Sequence, residues 1–427
     1  MTLTYQSTRL SNGLRLVVAP MAHVYSATVA VLIGAGSRYE TPQEAGSAHL
    51  LEHMLFKGSE RRPTAQEISE TVESTGGTLN ASTDKDVTAY SARLTAADVS
   101  LALDLLSDMV LHSTLDKDEL RKEKRIVAEE LGMAMDSPQE WVHTLIEEVA
   151  WAGDPLGRDV AGTRESVAAL TRATLRGYQS RCYAPSATVV SVAGAVDPDA
   201  VLRDVETWFG SWSGGAPPTH PTAVYGGKGG PAVMLQARET DQANLCLALP
   251  GVSRHDPRRT AFDLLNTVLG GGMSSRLFVA VREQQGLVYD IHSYGERYDD
   301  AGSLIVYAGM APELGRQVVK EIIAQTRRLR DEPLSDDELR KIKRGYRGRM
   351  VLGLEDTASV ADWCGGQELL YNKIEDPETV LERIEGVGAA DIQALAADLF
   401  HDAALRLAII GPYGEREKEE FADLLHY

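Results

Sequence analysis

Cysteine is nearly absent from this chain. Three residues, Cys182, Cys246 and Cys364, are spread over 427 positions without C-x-x-C spacing. That excludes a disulfide framework and a thiolate metal knuckle, and it leaves buried thiols as the expectation. Basic charge is also short: 43 Lys and Arg stand against 62 Asp and Glu, a formal net charge of -19. Gripping a phosphate backbone or an anionic bilayer takes a basic face, so neither nucleic acid nor membrane is expected as a partner. Long apolar runs are missing as well. No stretch of about 18 apolar residues occurs, and the opening MTLTYQSTRLSNGLRLVV lacks a basic segment followed by an apolar one. Neither a membrane span nor an export signal is read, and a cytoplasmic location is expected.

What is present is ample core. With 43% hydrophobic and 25% charged residues at this length, two domains are the default. The clearest break is SGGAPPTHPTAVYGGKGGP, beginning at residue 213, where Gly, Pro, Ser and Thr crowd out any apolar periodicity. It sets an expected division into 1–212, a linker at 213–230, and 231–427. The flanking segments read as distant copies of one plan. Each has early strand-like runs (ATVAVLIGAGS, ANLCLALPG), an apolar helix (AHLLEHMLF, AFDLLNTVLGGG) and a closing β-rich run ending in glycine (ATVVSVAGAVD, ALRLAIIGPYG). Strands mixed with long amphipathic helices give an α+β fold of two related domains, each a sheet packed with helices. Asn12-Gly13 supplies a hairpin turn between early apolar strands.

Two histidines bracket a glutamate in His49-Leu50-Leu51-Glu52-His53. Thr41-Pro42-Gln43-Glu44 has the form of a capping box with proline at the first helical position, which predicts a helix from there to about Phe56. On it His49, Glu52 and His53 share one face. Two imidazoles one turn apart can grip a single Zn²⁺, while the carboxylate beside them reaches a water on that metal. The bland alternative is a pair of histidines satisfied by local hydrogen bonds. A third ligand would decide, and the run KDELRKEKRIVAEELGMAMDSPQE offers one. Ile126, Val127, Leu131 and Ala134 mark its apolar side, and Glu130 falls among them, where an unpaired carboxylate is costly. Glu123 stands two turns earlier, and Glu129 points away to solvent.

His-x-x-Glu-His followed by a helix of the form E-x-x-x-x-x-x-E-L resembles the inverted zinc motif of the pitrilysin/insulinase metallopeptidases, the inverzincins. Within them the chain is most similar to the short bacterial branch related to mitochondrial processing peptidase. The resemblance runs through LSNGLRLVV, GSRYETPQEAGSAHLLEHMLFKGS, GGTLNASTDKDVTAYSARL, DPLGRDVAGTRESV, YAPSATVVSVAGAVD and LGGGMSSRLFVAVREQQGLVYDIHSY. It implies His49, His53 and Glu130 as ligands of one zinc per chain and Glu52 as the general base. It also implies that Glu123 orients a ligating histidine. The activity implied is zinc-dependent cleavage of unfolded peptides.

The same resemblance bears on substrate. On its residues alone GGTLNASTDKDVTAYS reads as an ordinary core strand, whereas the family places an exposed edge strand here, with Asn80 and Ala81 pairing to an extended peptide. Arg282 and Tyr289 match a family pair expected to contact the substrate or the developing oxyanion, although VREQQG by itself reads as a solvated helix. Phe56 corresponds to an apolar wall, and Glu140 to an acidic residue that meets a basic side chain of the substrate. Ser137-Pro138-Gln139-Glu140 is equally a capping box. Gly270-Gly271-Gly272 lacks a following Gly-Lys-Ser/Thr and reads as a helix end. A homodimer is the simplest expectation, with a related partner chain as the alternative. The rival reading is a noncatalytic assembly subunit, a class that loses the metal set.

Overall fold

A computed structural model of the chain describes residues 3–227 and 232–427, and the chain divides into two units that interleave in sequence. The first gathers Met1–Leu131, Asp159–His220 and Arg349–Thr379, and the second gathers Gly132–Arg158, Pro221–Gly348 and Val380–Tyr427. One crossing, between His220 and Pro221, falls inside the stretch 213–230. Residues 228–230 of that stretch lie outside the described residues.

The first unit is built on a six-stranded sheet. Its strands are β1 Gln6–Arg9, β2 Arg15–Pro20, β3 Ser26–Ile33, β4 Thr78–Thr83, β5 Thr88–Thr95 and β6 Thr188–Gly194, in the order β1-β2-β6-β3-β5-β4. Gly13, at φ +92, turns β1 into β2 as the Asn-Gly pair predicts. β2 and β6 run parallel and all other neighbours are antiparallel. One face carries Val29, Val31 and Ile33 into a core shared with Leu50 and Leu51 of the Ser47–Leu55 helix and Leu103 and Leu106 of the Val99–His112 helix. The opposite face packs Val17, Ala19, Val189 and Ala193 against Val360, Ala361 and Cys364. Those last three sit on the Thr357–Tyr371 helix, contributed from far along the chain and capped by Asp356.

The second unit repeats the plan with five strands, β7 Ala232–Ala237, β8 Ala243–Pro250, β9 Asp290–Arg297, β10 Gly302–Met310 and β11 Arg406–Gly411, ordered β7-β11-β8-β10-β9. β7 and β11 are parallel and the rest antiparallel. The Pro138–Ala150 helix covers one face, setting Val142 and Ile146 against Cys246, Ile305, Ala408 and Ile410. Each sheet is thus completed by a helix from a distant part of the sequence. All three cysteines are buried and none is in a disulfide, and among the described residues no helix is long and apolar enough to cross a membrane.

The helix predicted from Pro42 to Phe56 needs correcting. The capping box at Thr41 and Glu44 forms, but it closes only the short 3₁₀ turn Pro42–Glu44. The chain then turns through Gly46 at φ +90, and the α-helix begins at Ser47. A Cβ at Gly46 would lie 2.6 Å from the Ala161 carbonyl oxygen, so the break is built on a glycine for reasons of both space and φ. The stretch 76–91, read as a strand, instead holds β4 and the start of β5, a hairpin joined through 84–87.

Candidate metal centre

The 47–55 helix is held at its N-terminus by a residue outside it. The buried Glu40 carboxylate accepts from the backbone N–H groups of Gly46 at 3.0 Å and Ala48 at 2.7 Å, satisfying donors that a helix start leaves open. Leu50, Leu51, Met54 and Leu55 are wholly buried and fix its rotation. His49, Glu52 and His53 are thereby left together on the half-buried side.

His49, His53 and Glu130 offer ligand atoms that all lie within 4.8 Å of one another, the one such group among the described residues. The His53 Nε2 stands 3.7 Å from a Glu130 oxygen, against roughly 3.3 Å between donors around a tetrahedral zinc. The two rings meet edge to face with centroids 4.6 Å apart. Burial, aided by the neighbouring His53, pushes the His49 pKa down to about 4, so its imidazole is neutral and has a lone pair to give. Its Nδ1 is buried with no hydrogen-bond partner. An orphaned nitrogen, a second imidazole and a carboxylate at this spacing fit a zinc-type ion better than a self-satisfied pair of histidines.

Glu123 is buried, with one oxygen 3.2 Å from His53 Nδ1 and the other 3.0 Å from Lys57 Nζ. Glu130 is not on a buried face as its apolar neighbours suggest: its side chain is 44% exposed. Ile126 is exposed too, so Val127 and Leu131 alone seat this part of the Lys117–Asp136 helix. Glu129 is exposed, as expected.

Glu52 points at the edge strand. The Thr83 hydroxyl on β4 donates to its Oε2. Burial raises the Glu52 pKa, opposed by that hydrogen bond and by His53. A base carrying less water and a higher proton affinity than a surface glutamate is suited to proton transfer near neutrality. Thr83, Lys57 and Glu40 were not singled out by sequence reasoning. Thr83 and Lys57 act across long sequence separations that no local spacing encodes, and Glu40 reaches its helix only because the chain turns back between residues 40 and 46.

β4 is the outermost strand and pairs only with β5, where Asn80 faces Ser91 and Ala81 faces Tyr90. It is an edge strand and not the core strand its residues alone suggest. Asn80 is exposed, while Ala81 is half-buried against the core. Phe56 is half-buried, its ring 6.5 Å from that of Tyr90. Arg282 and Tyr289 belong to the second unit. Arg282 is exposed on a π-helical turn, Phe278–Gln284, with its guanidinium 4.8 Å over the Phe278 ring. Tyr289 is anchored by its N–H to the Gly309 carbonyl at 2.8 Å, and the residue is 61% exposed. Glu140, also in the second unit, is exposed in the first turn of its helix, and its N–H donates to the Ser137 hydroxyl.

Residues 16–164 match the insulinase (peptidase family M16) domain, and residues 169–346 match the peptidase M16 inactive domain. An uncharacterized zinc protease of Streptomyces coelicolor is 37% identical over 98% of this chain and 92% of its own length. The chain belongs to the M16 family. An uncharacterized zinc protease of Bacillus subtilis, covering 94% of this chain and 97% of its own length, is also 37% identical. The fold of this M16 chain matches that of a solved protease from Helicobacter pylori at a TM-score of 0.91, covering 96% of this chain and all of that one at 24% identity.

Proposed function

We propose that this chain is a zinc-dependent endopeptidase acting on unfolded peptides. The observation that carries the reading is the convergence of His49, His53 and Glu130 with Glu52 beside them, hydrogen-bonded to the edge strand. Zinc held by the three ligands would lower the pKa of a bound water and polarise the peptide carbonyl. Glu52 takes the proton of the attacking water and returns it to the leaving amine, a role that its raised proton affinity favours. Thr83 keeps the Glu52 carboxylate turned toward the strand. The open side of β4 pairs with the backbone of an extended peptide at Asn80 and Ala81, which admits varied sequences, and Phe56 supplies an apolar wall. Arg282 and Tyr289 of the second unit contact the substrate, so Arg282→Ala and Tyr289→Phe slow turnover without releasing metal. The enzyme works as a homodimer. A noncatalytic assembly subunit would have no need of an intact ligand set.

The test is Glu52→Gln, which removes the base and keeps the shape. Zinc content should remain at one per chain, while cleavage of a mixed unfolded-peptide library falls on the order of 10²–10⁴-fold. Undiminished cleavage by that variant, free of contaminating protease, would place the chemistry elsewhere.

A further inference from the structure

Lys57 is one turn beyond His53 and completes a buried chain of charge. Its Nζ lies 3.0 Å from Glu123 Oε1, while Glu123 Oε2 lies 3.2 Å from His53 Nδ1. The Glu123 side chain is 3% exposed and that of Lys57 26%. A carboxylate so far from water is costly to keep unless a cation meets it. A histidine that donates from Nδ1 must carry its lone pair on Nε2, and His53 Nε2 is the nitrogen that faces Glu130.

The second unit supplies an internal control. The helix Arg259–Gly270 repeats the burial pattern of the 47–55 helix position for position when Leu50-Leu51 is laid on Leu264-Leu265. The helix Asp336–Gly353 repeats DELRKEKR as DELRKIKR. In this register Lys57 corresponds to Gly271 and Glu123 to Ile342. Both members of the pair are gone from the unit that has no metal-type cluster among its described residues, and the helices still form. The fold therefore does not require the pair.

We infer that Lys57 is a positioning residue for the metal, holding Glu123 against His53 so that Nε2 is presented to the site. The inference rests on the zinc reading above and adds a determinant of affinity to it. Its test measures zinc affinity of the full chain by competition with a chromophoric chelator, together with thermal unfolding of the metal-free protein. Lys57→Met keeps the apolar stem and removes the charge, and it should weaken zinc binding about 10–100-fold. Lys57→Arg should stay within a few-fold of wild type. Should Lys57→Met fail to fold, the uncharged double variant Lys57→Met/Glu123→Gln carries the test and should bind zinc no better than Glu123→Gln alone. Wild-type affinity in Lys57→Met, or equal weakening by Met and Arg, overturns the inference and leaves the peptidase reading standing. A wild-type chain that binds no zinc overturns both.

Discussion

The two units repeat one sheet plan, but only the first has the metal-type cluster among the described residues. Strands β2-β6-β3-β5-β4 correspond in order and direction to β7-β11-β8-β10-β9. Even small contacts recur: Lys124 donates to the Ala168 carbonyl at 2.9 Å and Lys343 to the Glu385 carbonyl at 2.7 Å, each meeting the end of a short helix. At the positions of His49, Glu52 and His53 the second unit has Asp263, Asn266 and Thr267, and the residue that falls at the position of Glu130 in the 336–353 helix is Arg349, where the chain passes back into the first unit. Asp263 pairs with Arg297 of β9 at 2.7 Å, and Asn266 accepts from Ser293 of β9 at 2.6 Å. The helix-to-edge-strand tie seen between Glu52 and Thr83 is thus kept in both units. In one it holds a half-buried carboxylate beside the His49, His53 and Glu130 cluster, and in the other it is closed by ordinary pairing. The matching of residues 169–346 to a domain described as inactive agrees with that difference. The same scaffold is present twice, and a handful of side chains make the difference between a metal-type cluster and ordinary pairing.

The comparison breaks most visibly if the first unit is edited toward the second. His53→Thr should abolish zinc binding and peptide cleavage together, as should Glu130→Gln, whereas Glu129→Gln should keep the metal. Thr267→His should leave zinc at one per chain, because Ile342 and Arg349 offer no carboxylate to complete a second set. Metal analysis of the purified variants checks this. A Glu129→Gln chain that comes out empty beside a Glu130→Gln chain that stays full would shift the ligand register by one.

A smaller but still large effect is expected from cutting the chain between His220 and Pro221. Fragment 1–220 lacks the 357–371 helix, and fragment 221–427 lacks the 138–150 helix, so each exposes one apolar sheet face. Each buried aliphatic side chain lost this way costs about 1.5–3 kcal/mol. Separately produced fragments should aggregate or remain unfolded by circular dichroism, and co-produced fragments should assemble and bind zinc. A folded, monomeric 1–220 would show that the exchanged helix is dispensable.

Next comes acid. Each unit buries one histidine whose pKa is pushed down to about 4 by burial and by a neighbouring histidine, His49 beside His53 and His143 beside His292. They differ in satisfaction. His143 Nδ1 is 2.6 Å from the Tyr294 hydroxyl, whereas His49 Nδ1 has no partner. The unfolded chain protonates such a histidine near pH 6.5. The folded chain does so only near 4, so metal-free stability is complete above about 6.5 and is lost as pH falls from there toward 4. Urea midpoints at pH 7 and pH 5 should therefore diverge in wild type and diverge less in His143→Gln, with zinc content unchanged in that variant. An identical pH slope in both proteins would mean that His143 titrates normally.

How much of this was legible beforehand follows from which interactions are local. The facing of His49, Glu52 and His53 follows from 3.6 residues per turn, and the α+β plan from apolar periodicity, so both could be read. The capping box at Thr41 was also read correctly, but nothing in it tells a 3₁₀ turn from a helix. It was Ala161, distant in sequence, that made Gly46 a break. Alternation in β4 signals a half-buried strand, yet its place at the sheet edge is set by which strands pair, and periodicity does not report that. Glu130 was read from its apolar neighbours as buried, although only Val127 and Leu131 meet the core. The exchanged helices defeat the assumption that neighbours in sequence pack together.

The smallest effect concerns Glu140. In the first turn of its helix, a carboxylate is favoured by the exposed N–H groups and the helix dipole by about 0.3–1 kcal/mol. The reciprocal half of the capping box is absent: Ser137 accepts from the Glu140 N–H, but the Glu140 carboxylate does not return the bond. Its side chain is therefore available to a ligand. If it selects basic residues near the scissile bond, Glu140→Gln should erase a modest Arg or Lys enrichment in a library digest. In wild type that enrichment should shrink as salt is raised, as between exposed charges, while zinc content and the rate on neutral peptides stay unchanged. If the residue only caps, the variant should lose a few tenths of a kcal/mol of stability and leave the cleavage pattern alone. A wild-type digest at low salt with no basic enrichment decides for the cap.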